Sequence, residues 1–213
     1  MARIKNSMFK QLSGTLGDII FYSRSGRIYA RRRPQYIRDA KTPLQQQQRM
    51  RMRDVIAFYK VIKNSPLLPI WQQMGQEQGM SGMNLFIKMN IAAFAGEGRV
   101  TDYGKLHFSC GRLPQGDRFQ ACWKASESVI EVSWENKSIL PLRRLSDRFM
   151  AVVVFENNEL RFFTPPEGNY QRKDCHARIV VQESHLSPYK IYCFFAANNS
   201  KAYSGDVCCL LKK

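Results

Sequence analysis

Nowhere does this sequence stay apolar for the roughly 20 residues that a bilayer-spanning helix needs, so no such span is expected. Met1-Ala-Arg-Ile-Lys-Asn is followed by no apolar stretch, so no secretory signal is expected either. Acidic residues are few: 17 Asp plus Glu stand against 33 Lys plus Arg, a formal net charge of +16. No Cys-x-x-Cys pair occurs among the six cysteines, and there are only three histidines. Without a signal to an oxidising compartment, the thiols are expected to be reduced and the protein cytoplasmic. Hydrophobic residues fill 44% of the 213 positions, enough to bury a core, so whole-chain disorder is excluded as well.

These shortages narrow the chemistry. A catalytic nucleophile needs a base within hydrogen-bond reach and a third group to orient that base. Of His107, His176 and His185, His176 directly follows Cys175, which in a strand sends the two side chains to opposite faces. His107 and Cys110 stand three apart and diverge in the same way. A zinc site drawn from His107, Cys110, Cys122, Cys175 and His176 lacks the local pair that fixes two ligands together. Cys193, Cys208 and Cys209 lie in apolar runs and read as core residues. Gly14-x-x-Gly17 leads into a strand and Gly96-Glu-Gly98 follows a helix, so both read as turns rather than phosphate loops. Glu127, Glu131 and Glu135 read as the solvated side of a strand. A non-enzymatic protein with no cofactor and no metal is expected.

Positive charge is what the chain has in excess, and it is concentrated. The first 63 residues contain no glutamate. They carry 15 Lys or Arg against Asp18, Asp39 and Asp54, so +12 of the +16 lies in less than a third of the chain. Such asymmetry points to a polyanion or to an acidic partner surface.

Residues 18–33 read as two β-prone runs around Ser25-Gly26, a hairpin dipeptide. In the second run Arg27, Tyr29, Arg31 and Arg33 alternate onto one face, and Ile28, Ala30 and Arg32 onto the other. One face of this ribbon is therefore expected to be cationic with an aromatic in its middle. An isolated two-stranded ribbon is marginal in water, so it must pack on something or pair with another chain.

Thr42-Pro-Leu-Gln45 is a helix start, with a capping Thr42, Pro43 at the first helical position and Gln45 completing the box. Met52, Val55, Ile56, Tyr59 and Ile62 then recur at helical spacing as one buried face. A second helix is expected around 67–78 and a third from Ser81 or Gly82, stopped by Gly96-Glu-Gly98. After about residue 100 the period changes to two. Ile130, Val132 and Trp134 alternate with polar neighbours, 148–155 is apolar after Arg148, and further strands fall at 160–163, 177–181, 189–196 and 206–211. The expected fold class is α+β: a basic β-ribbon and helical module over 1–98, and an all-β, immunoglobulin-like antiparallel sandwich over 99–213.

Gly14-Thr-Leu-Gly17-Asp-Ile-Ile-Phe-Tyr, Gly26-Arg-Ile-Tyr-Ala-Arg31, Thr42-Pro-Leu-Gln45 with Arg49, and Gly82-Met-Asn84-Leu-Phe86 with Asn90 follow in one order. This order resembles a group of uncharacterised proteins common in Bacteroidota and in phage-like gene sets. The resemblance covers roughly 14–90. It implies a basic N-terminal segment joined to an immunoglobulin- or fibronectin III-like sandwich, and no catalytic residues. The cysteine-rich sandwich region and the Gln45–Gln48 run depart from that pattern.

Clustered arginines release counterions from nucleic-acid phosphates and make bidentate phosphate contacts. The candidate phosphate-binding residues are Arg24, Arg27, Arg31, Arg32, Arg33, Arg38, Arg49 and Arg53. Tyr29, with Tyr22 and Tyr36, is placed to stack on unpaired bases. The expected partner is nucleic acid, DNA or RNA, bound with little sequence specificity. The alternative is a structural subunit of a phage-like or other homo- or hetero-oligomer, its basic module seated on acidic protein surfaces and its location possible within a phage-like particle.

Overall fold

The computed structural model describes residues 2–4, 12–24, 26–36, 39–136, 141, 144–157, 159–164, 168–181 and 187–211. The chain is mixed α+β and divides into two compact units, Met1–Thr42 and Pro43–Lys213. Among the described residues, no helix is long and apolar enough to cross a membrane.

The smaller unit is one antiparallel sheet. β1 (Ala2–Ile4), β2 (Gly14–Leu16), β3 (Ile19–Arg24) and β4 (Arg27–Arg32) lie in the order β1-β4-β3-β2. Leu16 pairs with Ile19 and Arg24 with Arg27, so both internal turns are two-residue loops. Gly17 and Gly26 have φ of +57° and +70°, the left-handed backbone such loops require and glycine adopts without a Cβ penalty. The expected ribbon is present, and it has gained a short strand on each side.

The larger unit opens with α1 (Pro43–Lys63), which begins at the proline the sequence marks. Its first turns are exposed; burial starts at Asp54 and continues through Val55, Tyr59 and Ile62. Met52, expected in the core, is 38% exposed, whereas Arg51 beside it is half-buried. α2 (Leu68–Glu77) and α3 (Gly82–Asn90) follow, α3 capped by the Ser81 hydroxyl, which accepts from the Asn84 N–H at 3.2 Å. α2 and α3 meet through two glycines. A Cβ on Gly75 would lie 2.7 Å from the Gly82 nitrogen, and one on Gly82 2.7 Å from the Trp71 carbonyl.

Among the described residues, seven strands complete the unit: β5 (Asp117–Lys124), β6 (Val129–Glu135), β7 (Arg148–Phe155), β8 (Leu160–Phe163), β9 (His176–Val180), β10 (Pro188–Ala196) and β11 (Val207–Leu210). They form two antiparallel sheets, β11-β10-β7-β8 and β5-β6-β9. The β7–β10 pair is covered on both sides. Met150, Val152, Val154, Tyr192, Phe194 and Ala196 share one core with Val55, Ile62, Trp71 and Phe86 of the helices. The alternate residues Phe149, Val153, Ile191 and Phe195 share a second core with Ile130, Trp134 and Ile179 of the other sheet. Both faces of these strands are thus dry over residues 149–155 and 191–196, which is why those stretches read as unbroken apolar runs. The boundary expected at 98/99 grouped the helices with the ribbon. The compact units divide instead at 42/43, because the apolar helix faces close on β7 and β10.

Candidate nucleic-acid interface

The two-residue loop fixes the register of the basic hairpin: Arg24 opposes Arg27, Tyr22 opposes Tyr29 and Ile20 opposes Arg31. Opposed residues share a face, so Arg24, Tyr22 and Ile20 from β3 join Arg27, Tyr29 and Arg31 from β4, with Thr15 of β2 beside Ile20. The Tyr22 and Tyr29 rings are stacked, centroids 5.5 Å apart and planes 20° from parallel. Both tyrosines are half-buried, whereas Arg24, Arg27 and Arg31 are exposed. None of these three arginines has an acidic partner among the described residues.

The opposite face carries Leu16, Ile19, Phe21, Ile28 and Ala30, together with Arg32. Arg32 is therefore off the cationic face, and its guanidinium stands 3.8 Å from the Asp18 carboxylate. Arg33 follows the last residue of β4; its N–H donates to the Asp18 carbonyl at 2.6 Å, in the register of the β3–β4 pairing. Arg38 lies outside the described residues. Arg49 and Arg53 sit on α1, in the other unit. Arg53 Nε donates to the buried Asp54 carboxylate at 3.2 Å, and that carboxylate also accepts from the Gly98 N–H at 2.8 Å, tying α1 to the segment after α3. Of the nine residues expected at the site, Arg24, Arg27, Tyr29 and Arg31 share one face. Tyr22 completes that face, and its position follows from the length of the Ser25-Gly26 loop. β1 was not expected; it sets Arg3 in register with Tyr29, and three residues carry too little pattern to read as a strand.

The larger unit holds two buried polar clusters. The Asp206 carboxylate meets His107 Nδ1 at 2.9 Å and accepts from the Phe108 N–H at 2.7 Å. Asn90 holds the same segment, accepting from the His107 N–H at 2.6 Å. The hydrogen bond to Asp206 raises the His107 pKa. Cys110 lines the same cavity of about 390 Å³, but burial pushes its thiol up to about 11. A thiol so firmly protonated is a poor nucleophile at neutral pH. His107 and Asp206 act here as a strut joining the 106–109 segment to the approach to β11.

In the second cluster, the fully buried Arg172 guanidinium lies 3.8 Å from the Phe195 ring centroid. It donates to the Pro114 carbonyl at 2.6 Å and stands 3.5 Å from Asp147. Burial raises the Asp147 pKa and lowers that of Arg172. On the β5-β6-β9 sheet, Lys124 pairs with Glu131 at 2.9 Å, a solvated carboxylate as expected, and Arg178 pairs at 2.7 Å with Glu127, which lies in the turn before β6. Cys193 is buried as expected, while Cys208 is exposed because β11 is a sheet edge. Among the described residues, no three His, Cys, Asp or Glu side chains are grouped to hold a metal ion. His185 lies outside the described residues.

The chain matches no family model, no curated protein and no solved structure.

Proposed function

We propose that this is a non-enzymatic nucleic-acid-binding protein whose basic ribbon contacts the phosphate backbone. The observation that carries the reading is the placement of Arg24 directly across from Arg27 on an exposed face, with Arg31 further along and no acid among the described residues to neutralise them. Like charges set opposite one another on a sheet cost stability. A polyanion converts that cost into affinity by giving up its condensed counterions. Protein purified at low salt is expected to carry nucleic acid, read as a raised ratio of absorbance at 260 to 280 nm, and to lose it at high salt. A ratio that is protein-like at every salt concentration contradicts the reading.

The second reading is a subunit of a phage-like assembly. Leu16 and Ile19 favour it: they are 73% and 44% exposed on the face of the ribbon opposite the tyrosines. Oligomers that persist by light scattering after nuclease treatment support this reading; a monomer supports the first.

We also propose that β5–β11 form an immunoglobulin-like sandwich. Lettered in chain order, with β8 as C′, the two sheets read A-B-E and G-F-C-C′ and share a core, which is the strand order of that architecture. The ordered motifs over 14–90 and this strand order together support placing the chain with the Bacteroidota and phage-associated group it resembles.

A further inference from the structure

We infer that the ribbon face selects single-stranded nucleic acid, with bases stacked on the Tyr22–Tyr29 pair, over a duplex. This rests on the reading of that face as a nucleic-acid contact, and three features carry it further. The first is width. Ala2, Ala30, Phe21 and Gly14 lie in one row across all four strands. At about 4.8 Å between strands, that row spans about 14 Å of backbone before any side chain is added. The Tyr22–Tyr29 row beside it has three strands, with Arg3 next to Tyr29, and only the Arg24–Arg27 end has two; a major groove about 12 Å wide admits a two-stranded ribbon, so the face at the tyrosines is too broad for it.

The second feature is the aromatic pair. Its rings are stacked on each other in the middle of the cationic face. In a duplex each base is already stacked on its neighbours, so the face would meet only phosphates and groove edges, and the tyrosines would contribute little. An unpaired base has a free π-face, and stacking on an aromatic ring is tolerant of sequence.

The third feature is where the charges stand. Arg27 and Arg31 lie two residues to either side of Tyr29 along β4, about 7 Å away in each direction. A base on the pair therefore has a guanidinium within reach of the phosphates before and after it. Arg24, opposite Arg27, doubles the charge at the closed end of the hairpin.

The test uses the full chain, freed of nucleic acid at high salt, and fluorescence anisotropy with a labelled oligo-dT, an oligo-U and a duplex of the same length. The single strands are expected to bind at least ten-fold tighter than the duplex, with tyrosine emission quenched by the single strands only. Replacing both tyrosines by leucine (Y22L/Y29L) is expected to weaken single-strand binding about ten-fold or more while the salt slope stays unchanged. The phenylalanine pair, Y22F/Y29F, keeps the stacking surface and is expected to restore binding, which separates lost stacking from a damaged ribbon. Duplex binding as tight as single-strand binding, with Y22L/Y29L without effect, overturns the inference and leaves the phosphate contact standing. Loss of binding in Y22F/Y29F equal to that in Y22L/Y29L also overturns it. No salt-sensitive binding of any probe overturns both.

Discussion

Arg24 and Arg27 face one another across the two-residue end of the β3–β4 hairpin, with no acid among the described residues to neutralise either. A sheet designed only for stability would place unlike charges there. Replacing one of the pair, Arg24→Thr, removes the repulsion and puts a β-former in its place. It is expected to leave the unit as stable or to stabilise it by a few tenths of a kcal/mol, while weakening nucleic-acid binding. Thermal melts alongside anisotropy read the two effects separately.

Gly75 and Gly82 let α2 and α3 approach until backbone meets backbone. Alanine at either position puts a methyl group 2.7 Å from main-chain atoms of the facing segment, too close for a flexible side chain to yield. Gly75→Ala and Gly82→Ala are each expected to cost about 1–3 kcal/mol, read as a lower urea midpoint. They act in the larger unit, so the salt slope of nucleic-acid binding is expected to be unchanged.

His107 supplies a pH dependence. Its hydrogen bond to Asp206 raises its pKa in the folded protein above the unfolded value. The stabilisation from this pair is therefore fully present below the unfolded pKa, near 6.5, and is lost as pH rises through the higher folded value. The urea midpoint is expected to fall between pH 6 and pH 9, and His107→Gln is expected to flatten that fall. A midpoint that rises over this range in the wild type, or that falls equally in the variant, contradicts the assignment.

Arg172 is buried against Phe195 and beside Asp147. Arg172→Met keeps volume but leaves the Asp147 carboxylate, among the described residues, with only the half-buried Arg144 at 3.6 Å. A loss of about 3–5 kcal/mol is expected, read from denaturant unfolding. Adding Asp147→Asn is expected to recover part of that loss, since the uncompensated charge is its main cause.

Much of the larger unit was readable from pattern. Pro43 marked the start of α1, and the apolar run at 148–155 and the shorter run at 160–163 coincide with β7 and β8. A strand apolar on both faces needs two covers, and the nearest amphipathic elements were the helices before residue 98. Met52 lies at the margin of the buried helix face, where spacing alone does not separate covered from exposed positions. β1 and β2, at three residues each, carry no usable period; they exist because β3 and β4 offer them open edges.

The most direct test of the account is the slope of log affinity against log salt for wild type and for the R24A/R27A/R31A variant, on the same oligo-dT. Each phosphate contact on a single strand contributes about 0.7 to that slope, so the variant is expected to be shallower by about 2 and weaker at low salt. Equal slopes for the two proteins, or an equal loss of slope when Arg32 and Arg53 are replaced instead, contradict the assignment of the contact to the tyrosine-bearing face.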